Sequence, residues 1–225
     1  MARTKCYDLV IKVIQAVDKA SANSAPPPDG SLSIIMRRRN EAYAEINNSN
    51  DEVFQTYLYD WYLSQGWAER LLEITSEYVV SYLVRKSQED VAHADLLWRY
   101  YAHYHNYLDA ADVQHQLAKS GFQLSLERRI EYLSRAKANA STRVPGFSEI
   151  GGVRSRQSRQ ELLRNITDLL DIANIQDDIL QKMKSDPRLV GDRRTEVLAR
   201  LDGEILSIDE VRHVSIPFNH IQIPY

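Results

Sequence analysis

The stretch from Asp95 to Ala118, DLLWRYYAHYHNYLDAADVQHQLA, constrains the fold of this chain more than any other. It spells two short amphipathic helices joined by a tight turn. Leu97 and Trp98 are followed by Tyr101 at helical spacing, and then by Tyr107, the small pair Ala110 and Ala111, Val113, Leu117 and Ala118. Bulky side chains on the first helix facing small ones on the second let the two axes approach closely. Such a hairpin cannot bury both of its faces alone, so it demands neighbours of the same type.

The flanking sequence supplies them. Residues 5–20 carry Leu9, Val10, Val13, Ile14 and Val17 at steps of three and four, the spacing of an amphipathic helix. Pro26, Pro27 and Pro28 make 21–31 a proline-rich loop. A helix from about Ser33 to Ile46 is expected to turn Ile35, Ala42 and Ile46 inward, with Arg37, Arg38 and Arg39 at its start. Those arginines read either as a patch for an acidic partner or as a solvated face paired with Glu41 and Glu45 one turn on. Ser49-Asn50-Asp51-Glu52 has the form of a capping box. The helix it opens carries Val53, Phe54, Tyr57, Leu58, Trp61 and Tyr62, and Gly66 is placed to end it in the left-handed conformation.

Shorter helices follow over 67–74 and 76–86, the second with Tyr78, Val79, Tyr82 and Leu83 inward, and 87–90 caps the central hairpin. Beyond Gly121, Leu126, Ile130, Leu133 and Ala140 share one helical face, opposite Glu127, Arg128, Glu131 and Arg135. The pattern then lapses, and 142–158 is expected to be an exposed, mobile loop whose arginines could dock an acidic segment. From about Arg159 to Ser185 runs a long stripe of Leu162, Ile166, Leu169, Ala173, Gln176, Leu180 and Met183, which wants a partner helix along its length. Pro187 stops it, a last helix spans about Asp192 to Ser207, and 211–225 is expected to be an irregular tail.

No segment has the period of a strand, and eight glycines and seven prolines in 225 residues are too few for a turn-rich β fold. The expected class is therefore all-α, an α-solenoid of stacked helical hairpins over 1–210, because no central hydrophobic helix offers a closed bundle its hub. A net charge of −3 exerts no general pull toward nucleic acid or acidic membranes. The single cysteine, Cys6, excludes an intrachain disulfide and fits a reducing compartment. The sequence shows no signal peptide and no apolar run near the roughly 20 residues that span a bilayer.

Chemistry has few candidate carriers. Asp90-x-x-His93 and Asp112-x-x-His115 each set a carboxylate and an imidazole one helical turn apart, a spacing that diiron bundles use with glutamate. The inward positions of the other helices are nearly all apolar, so both pairs read as surface pairs, with an α-helical metalloprotein as the alternative. His103 and His105 lie on different helix faces. No phosphate loop or nucleophile elbow is present, and Cys6 has no base near it in sequence. No catalytic, cofactor-binding or metal-binding residue is assigned, and no cofactor is expected. Thirteen tyrosines and three tryptophans could stack bases, yet they fall at core spacing rather than beside the basic stretch 127–164.

The run VFQTYLYDWYLSQGWAERLLEITSEYVVSYL, then DLLWRYYAHYHNYLDAADVQHQLA, then LSLERRIEYLSRAKANA resembles the C-terminal α-helical region of a scaffold nucleoporin family. It is the large inner-ring family named for a human 155-kDa member and fungal 157- and 170-kDa paralogues. The most specific pieces are Leu58-Tyr59-Asp60-Trp61, Leu71-Leu72-Glu73-Ile74, Leu97-Trp98 with Tyr100-Tyr101, and Arg128 to Ala138, all in order between about Cys6 and Ile208. Pro26-Pro27-Pro28 looks like a lineage-specific, fungal loop, and from Val211 the pattern departs except at Pro217-Phe218. The resemblance implies a structural role in the inner ring of the nuclear pore complex at the nuclear envelope, in support of pore assembly and of protein and mRNA transport. It implies linker nucleoporins of the 53/59-kDa type and other inner-ring scaffold nucleoporins as partners, with no direct nucleic-acid contact. Membrane contact, which the family assigns to an N-terminal β-propeller, is not expected of this stretch. A coat-like helical-repeat adaptor is the alternative with the same fold. The chain is expected to be a fragment of a longer solenoid, with apolar ends that favour weak self-association.

Overall fold

A computed structural model describes residues 2–23, 33–142, 152–187 and 190–215. Among them are eleven helices and no strand: α1 (Ala2–Ala22), α2 (Ile34–Asn47), α3 (Glu52–Ser64), α4 (Glu69–Leu72), α5 (Glu77–Lys86), α6 (Val91–His103), α7 (Tyr107–Lys119), α8 (Leu126–Ser141), α9 (Gly152–Ser185), α10 (Gly191–Leu201) and α11 (Ile208–Ser215). They form two compact units, Met1–Arg85 and Lys86–Tyr225.

In the first unit α1 packs on α2 and touches α3. Its buried face is Tyr7, Ile11 and Ile14, while Leu9 and Val13 stand 61% and 60% exposed. The inward stripe is thus rotated from the expected one, because Tyr7 sits its ring 5.3 Å from that of Phe54 and donates its hydroxyl to Asp51 at 2.8 Å. Helix α1 also runs through Ser21 and Ala22, so the first two residues of the expected 21–31 loop are helical; residues 24–32 lie outside those described. In α2, Tyr43 and Ile46 are buried and Ile35 is exposed. Asp51, rather than Ser49, caps α3: its carboxylate accepts from the amides of Val53 and Phe54 at 3.1 and 3.2 Å, and Ser49 Oγ accepts from Asp51 N. The Asp51 carboxylate also faces the positive end of the helix dipole. Gly66 has φ +73° and ends α3 as expected.

In the second unit α6 packs on α7, α7 on α8 and α8 on α9, and α10 and α11 rest on α9. Ala110, Ala111 and Ala118 of α7 and Ala136 and Ala140 of α8 are essentially inaccessible to solvent. These small side chains let the backbones of α7 and α8 approach each other. The α6–α7 turn is closed by His105 at φ 60°. Ile166, Ala173, Gln176, Leu180 and Met183 of the long stripe are buried. Helix α9 begins at Gly152, so the second half of the expected 142–158 loop is helical, and 143–151 lie outside the described residues. Helix α10 ends at Leu201, earlier than its apolar pattern suggests. The expected irregular tail is helical up to Ser215, because Ser207-Ile-Asp-Glu210 is a true capping box: Ser207 N donates to Glu210 at 2.9 Å and Glu210 N to Ser207 Oγ at 3.3 Å. Residues 216–225 lie outside those described.

One device recurs at the turns. A buried polar side chain of a neighbouring helix donates to carbonyls at and just beyond the C-terminal end of a helix. Gln55 of α3 donates to the carbonyls of Ile46, Asn47 and Ser49 at 2.9, 3.2 and 2.9 Å, closing α2. Arg129 of α8, 2% exposed, donates to those of Ala118, Ser120 and Phe122 at 2.9, 2.7 and 2.8 Å, closing α7. Gln176 of α9 donates to Leu201 and Glu204 at 2.8 and 2.9 Å and accepts from the amide of Leu206 at 2.8 Å, closing α10.

Candidate interaction surface

The sequence candidates are scattered rather than assembled. Asp90 is the N-cap of α6, accepting from Ala92 N at 2.6 Å, and its other oxygen lies 3.8 Å from His93 Nδ1, too long for a hydrogen bond. His115 lies on the buried side of α7, its Nδ1 without a hydrogen-bond partner, while Asp112 is exposed. Burial pushes the His115 pKa down, as does Lys119, against a weaker upward pull from Asp112. Asp109, at the surface of α7, has its carboxyl pushed up by partial desolvation and then by the neighbouring Asp112. Among the described residues no three His, Cys, Asp or Glu side chains gather where a metal ion could be held. Cys6 is exposed on α1.

Arg39 pairs with Asp18 of α1 at 2.5 Å rather than with Glu41 or Glu45, and Tyr43 donates to the other oxygen of Asp18 at 2.6 Å. This cluster leads into an aromatic cage: the Arg70 guanidinium lies 4.3 Å from the Tyr43 ring centroid, 4.6 Å from that of Trp67 and 5.7 Å from that of Tyr62. A cation over such faces is held by their quadrupoles, more strongly where water is displaced. Burial first, then the bond to Asp18, pushes the Tyr43 phenol up to about 12, against the opposing pull of Arg70. The Tyr62 phenol is also raised, chiefly by burial, and donates to Asn47 at 2.8 Å. Arg70 thus fastens α4 to α2 and α3.

Asp95 plays the matching part in the central hairpin. One of its oxygens accepts from Trp98 Nε1 and from the Tyr132 hydroxyl, both at 2.8 Å, and the other faces Arg128 at 3.4 Å. Burial and the bond to Asp95 push Tyr132 up to about 12. Arg135 lies over the Trp98 ring at 5.6 Å and pairs with Glu131 at 2.7 Å. Tyr43, Tyr62, Trp98 and Tyr132 are therefore packing residues with satisfied polar ends, as their core spacing implies, and Trp67 packs through its ring faces. Sequence reasoning had no signal for Asp18, Arg70 or Asp95 as hubs, because their partners come from other helices.

A stack of helices with this geometry has close relatives. The sequence profile of the family described as non-repetitive/WGA-negative nucleoporin C-terminal matches residues 1–217. The chain belongs to that family. It is 40% identical over 209 residues to Nucleoporin NUP170 of Chaetomium thermophilum and 36% identical over 210 residues to Probable nucleoporin C890.06 of Schizosaccharomyces pombe, each over 93% of this chain. To Nuclear pore complex protein Nup154 of Drosophila melanogaster it is 31% identical over 73% of its length. It spans 14% of the first of these relatives and 15% of the second. Among solved structures it resembles the Chaetomium thermophilum Nup170 CTD–Nup145N complex, with a TM-score of 0.84 and 39% identity over 97% of this chain and 39% of that one. The Nup170 CTD of the same organism gives a TM-score of 0.80 over 93% of this chain and 36% of that one. The family and the all-α, α-solenoid class are those expected from the sequence, and the relatives are nuclear pore proteins.

Proposed function

We propose that the chain is a scaffold element of the nuclear pore inner ring that binds short segments of linker nucleoporins and packs against other scaffold nucleoporins, supporting pore assembly and nucleocytoplasmic transport. The observation that carries this reading is the likeness, over nearly the whole chain, to a Nup170 CTD captured with Nup145N. The interior supports it: the clustered aromatic and ionic groups fasten helix to helix, which suits a rigid scaffold better than a catalyst. The 53/59-kDa linker type belongs to this proposal, as does the absence of direct nucleic-acid and membrane contact. The test is retention of purified linker nucleoporins, of the Nup145N and 53/59-kDa types, on the immobilised folded chain. Capture of at least one is expected; failure of every inner-ring partner to bind a sample shown to be folded overturns the binding claim.

A further inference from the structure

Within the first unit, α1, α3 and α5 leave an open groove of about 460 Å³ whose lining includes Tyr7, Glu52, Val53, Tyr57, Asp60 and Arg85. Its floor is apolar and unfinished. Val53, in the first turn of α3, is 58% exposed although its neighbour Phe54 is buried. The Tyr7 and Tyr57 rings, 5.8 Å apart, form the wall beside it. Both are held in place by their hydroxyls, Tyr7 on Asp51 and Tyr57 on Asp8, so the wall is pre-formed. Asp60 is likewise oriented by the Tyr82 hydroxyl at 2.6 Å. The lining is negative on balance: Glu52 and Asp60 stand with one lining cation, Arg85, which lies against the Tyr82 ring at 5.9 Å, and behind them the carboxylates of Asp51 and Asp8 accept the Tyr7 and Tyr57 hydroxyls.

A pre-formed apolar slot with a carboxylate rim suits an extended peptide that places a bulky apolar side chain on Val53 and Tyr57 and an adjacent lysine or arginine toward Glu52 and Asp60. We infer that this groove is a docking site for a basic–apolar linear segment of a linker nucleoporin. The inference rests on the linker-binding reading above and adds to it the place and the peptide chemistry. Charge complementarity decides the occupant: an acidic segment would meet the carboxylates, and a wholly apolar one would leave Glu52 and Asp60 facing it without a counter-charge.

The probe is a set of overlapping fluorescein-labelled 15-residue peptides tiling Chaetomium thermophilum Nup145N, titrated against the whole chain and read by fluorescence anisotropy. Peptides with Lys or Arg next to a large apolar residue are expected to bind best, and more weakly as salt rises. Val53→Lys is expected to weaken them about tenfold or more, since it removes the apolar floor and repels the basic residue. Glu52→Gln should flatten the salt dependence, while Leu9→Lys, at an exposed position outside the groove lining, should leave binding unchanged. Circular dichroism confirms that each variant is folded. Binding of Nup145N peptides that is indifferent to Val53→Lys and Glu52→Gln, or a preference for acidic peptides, overturns the groove and leaves linker binding standing. If no peptide and no intact linker binds the folded chain, both readings fall together.

Discussion

Replacing Gln176 by methionine is the sharpest perturbation of this fold. The two side chains have similar volume and flexibility, so the exchange removes hydrogen bonds without opening a cavity. Three bonds are lost: to the carbonyls of Leu201 and Glu204, at 2.8 and 2.9 Å, and from the amide of Leu206, at 2.8 Å. At about 1 kcal/mol net for each, the loss is about 3 kcal/mol. The Leu201 carbonyl adds about 1–2 kcal/mol if it stays dry, and burying a thioether in place of an amide returns about 1 kcal/mol. The expected destabilisation is thus about 2–4 kcal/mol. Urea denaturation should show it as a midpoint lowered by roughly 1–2 M at unchanged slope. Hydrogen exchange at the Leu206 amide should quicken beyond the change at other amides of the unit. The exposed Gln181→Met, on the same helix, should stay within about 0.5 kcal/mol. If Gln176→Met is as mild as Gln181→Met, the buried closure of α10 contributes nothing to stability and the reasoning fails.

Arg129→Met should cost about 3–5 kcal/mol, because it strips three carbonyls of a charged donor, and Arg129→Lys should fail to restore it, since one ammonium cannot reproduce the guanidinium fork; thermal and urea unfolding decide both. His115 contributes a pH dependence of defined sign. Its folded pKa lies below the unfolded value near 6.5, so its contribution is complete above that value and is lost as pH falls through 6.5 toward the folded pKa. His115→Gln should flatten the stability profile in that window, and an unchanged slope from pH 7.5 to 5 contradicts the assignment. Gly66→Ala should cost about 1 kcal/mol in urea denaturation from backbone strain alone, because φ is +73° and a Cβ there meets no neighbour within 4 Å.

Sequence by itself determined what depends on neighbours three or four residues away. The helical class, the a/d-like stripe of α9 and the left-handed turn at Gly66 all follow from local spacing, and the structure reproduces them. Such features repeat with the helix period, so the chain carries them whatever it packs against. The candidate surface was less accessible for the same reason in reverse. Val53 reads as an inward residue of an aromatic face, and only the placement of Phe54, Leu58 and Tyr62 in the core leaves it at the mouth of a groove. Tertiary structure also decided which stripe of α1 faces inward, because Tyr7 finds both a ring and a carboxylate across the unit. It decided that Arg129, among the charged residues of α8, is buried while Arg128 stays outside. Burying a polar side chain is costly unless other groups satisfy it, and for Gln176 those groups lie 25 to 30 residues further along the chain. No spacing rule reaches that far, which is why the helices could be read from the sequence and their fastenings could not.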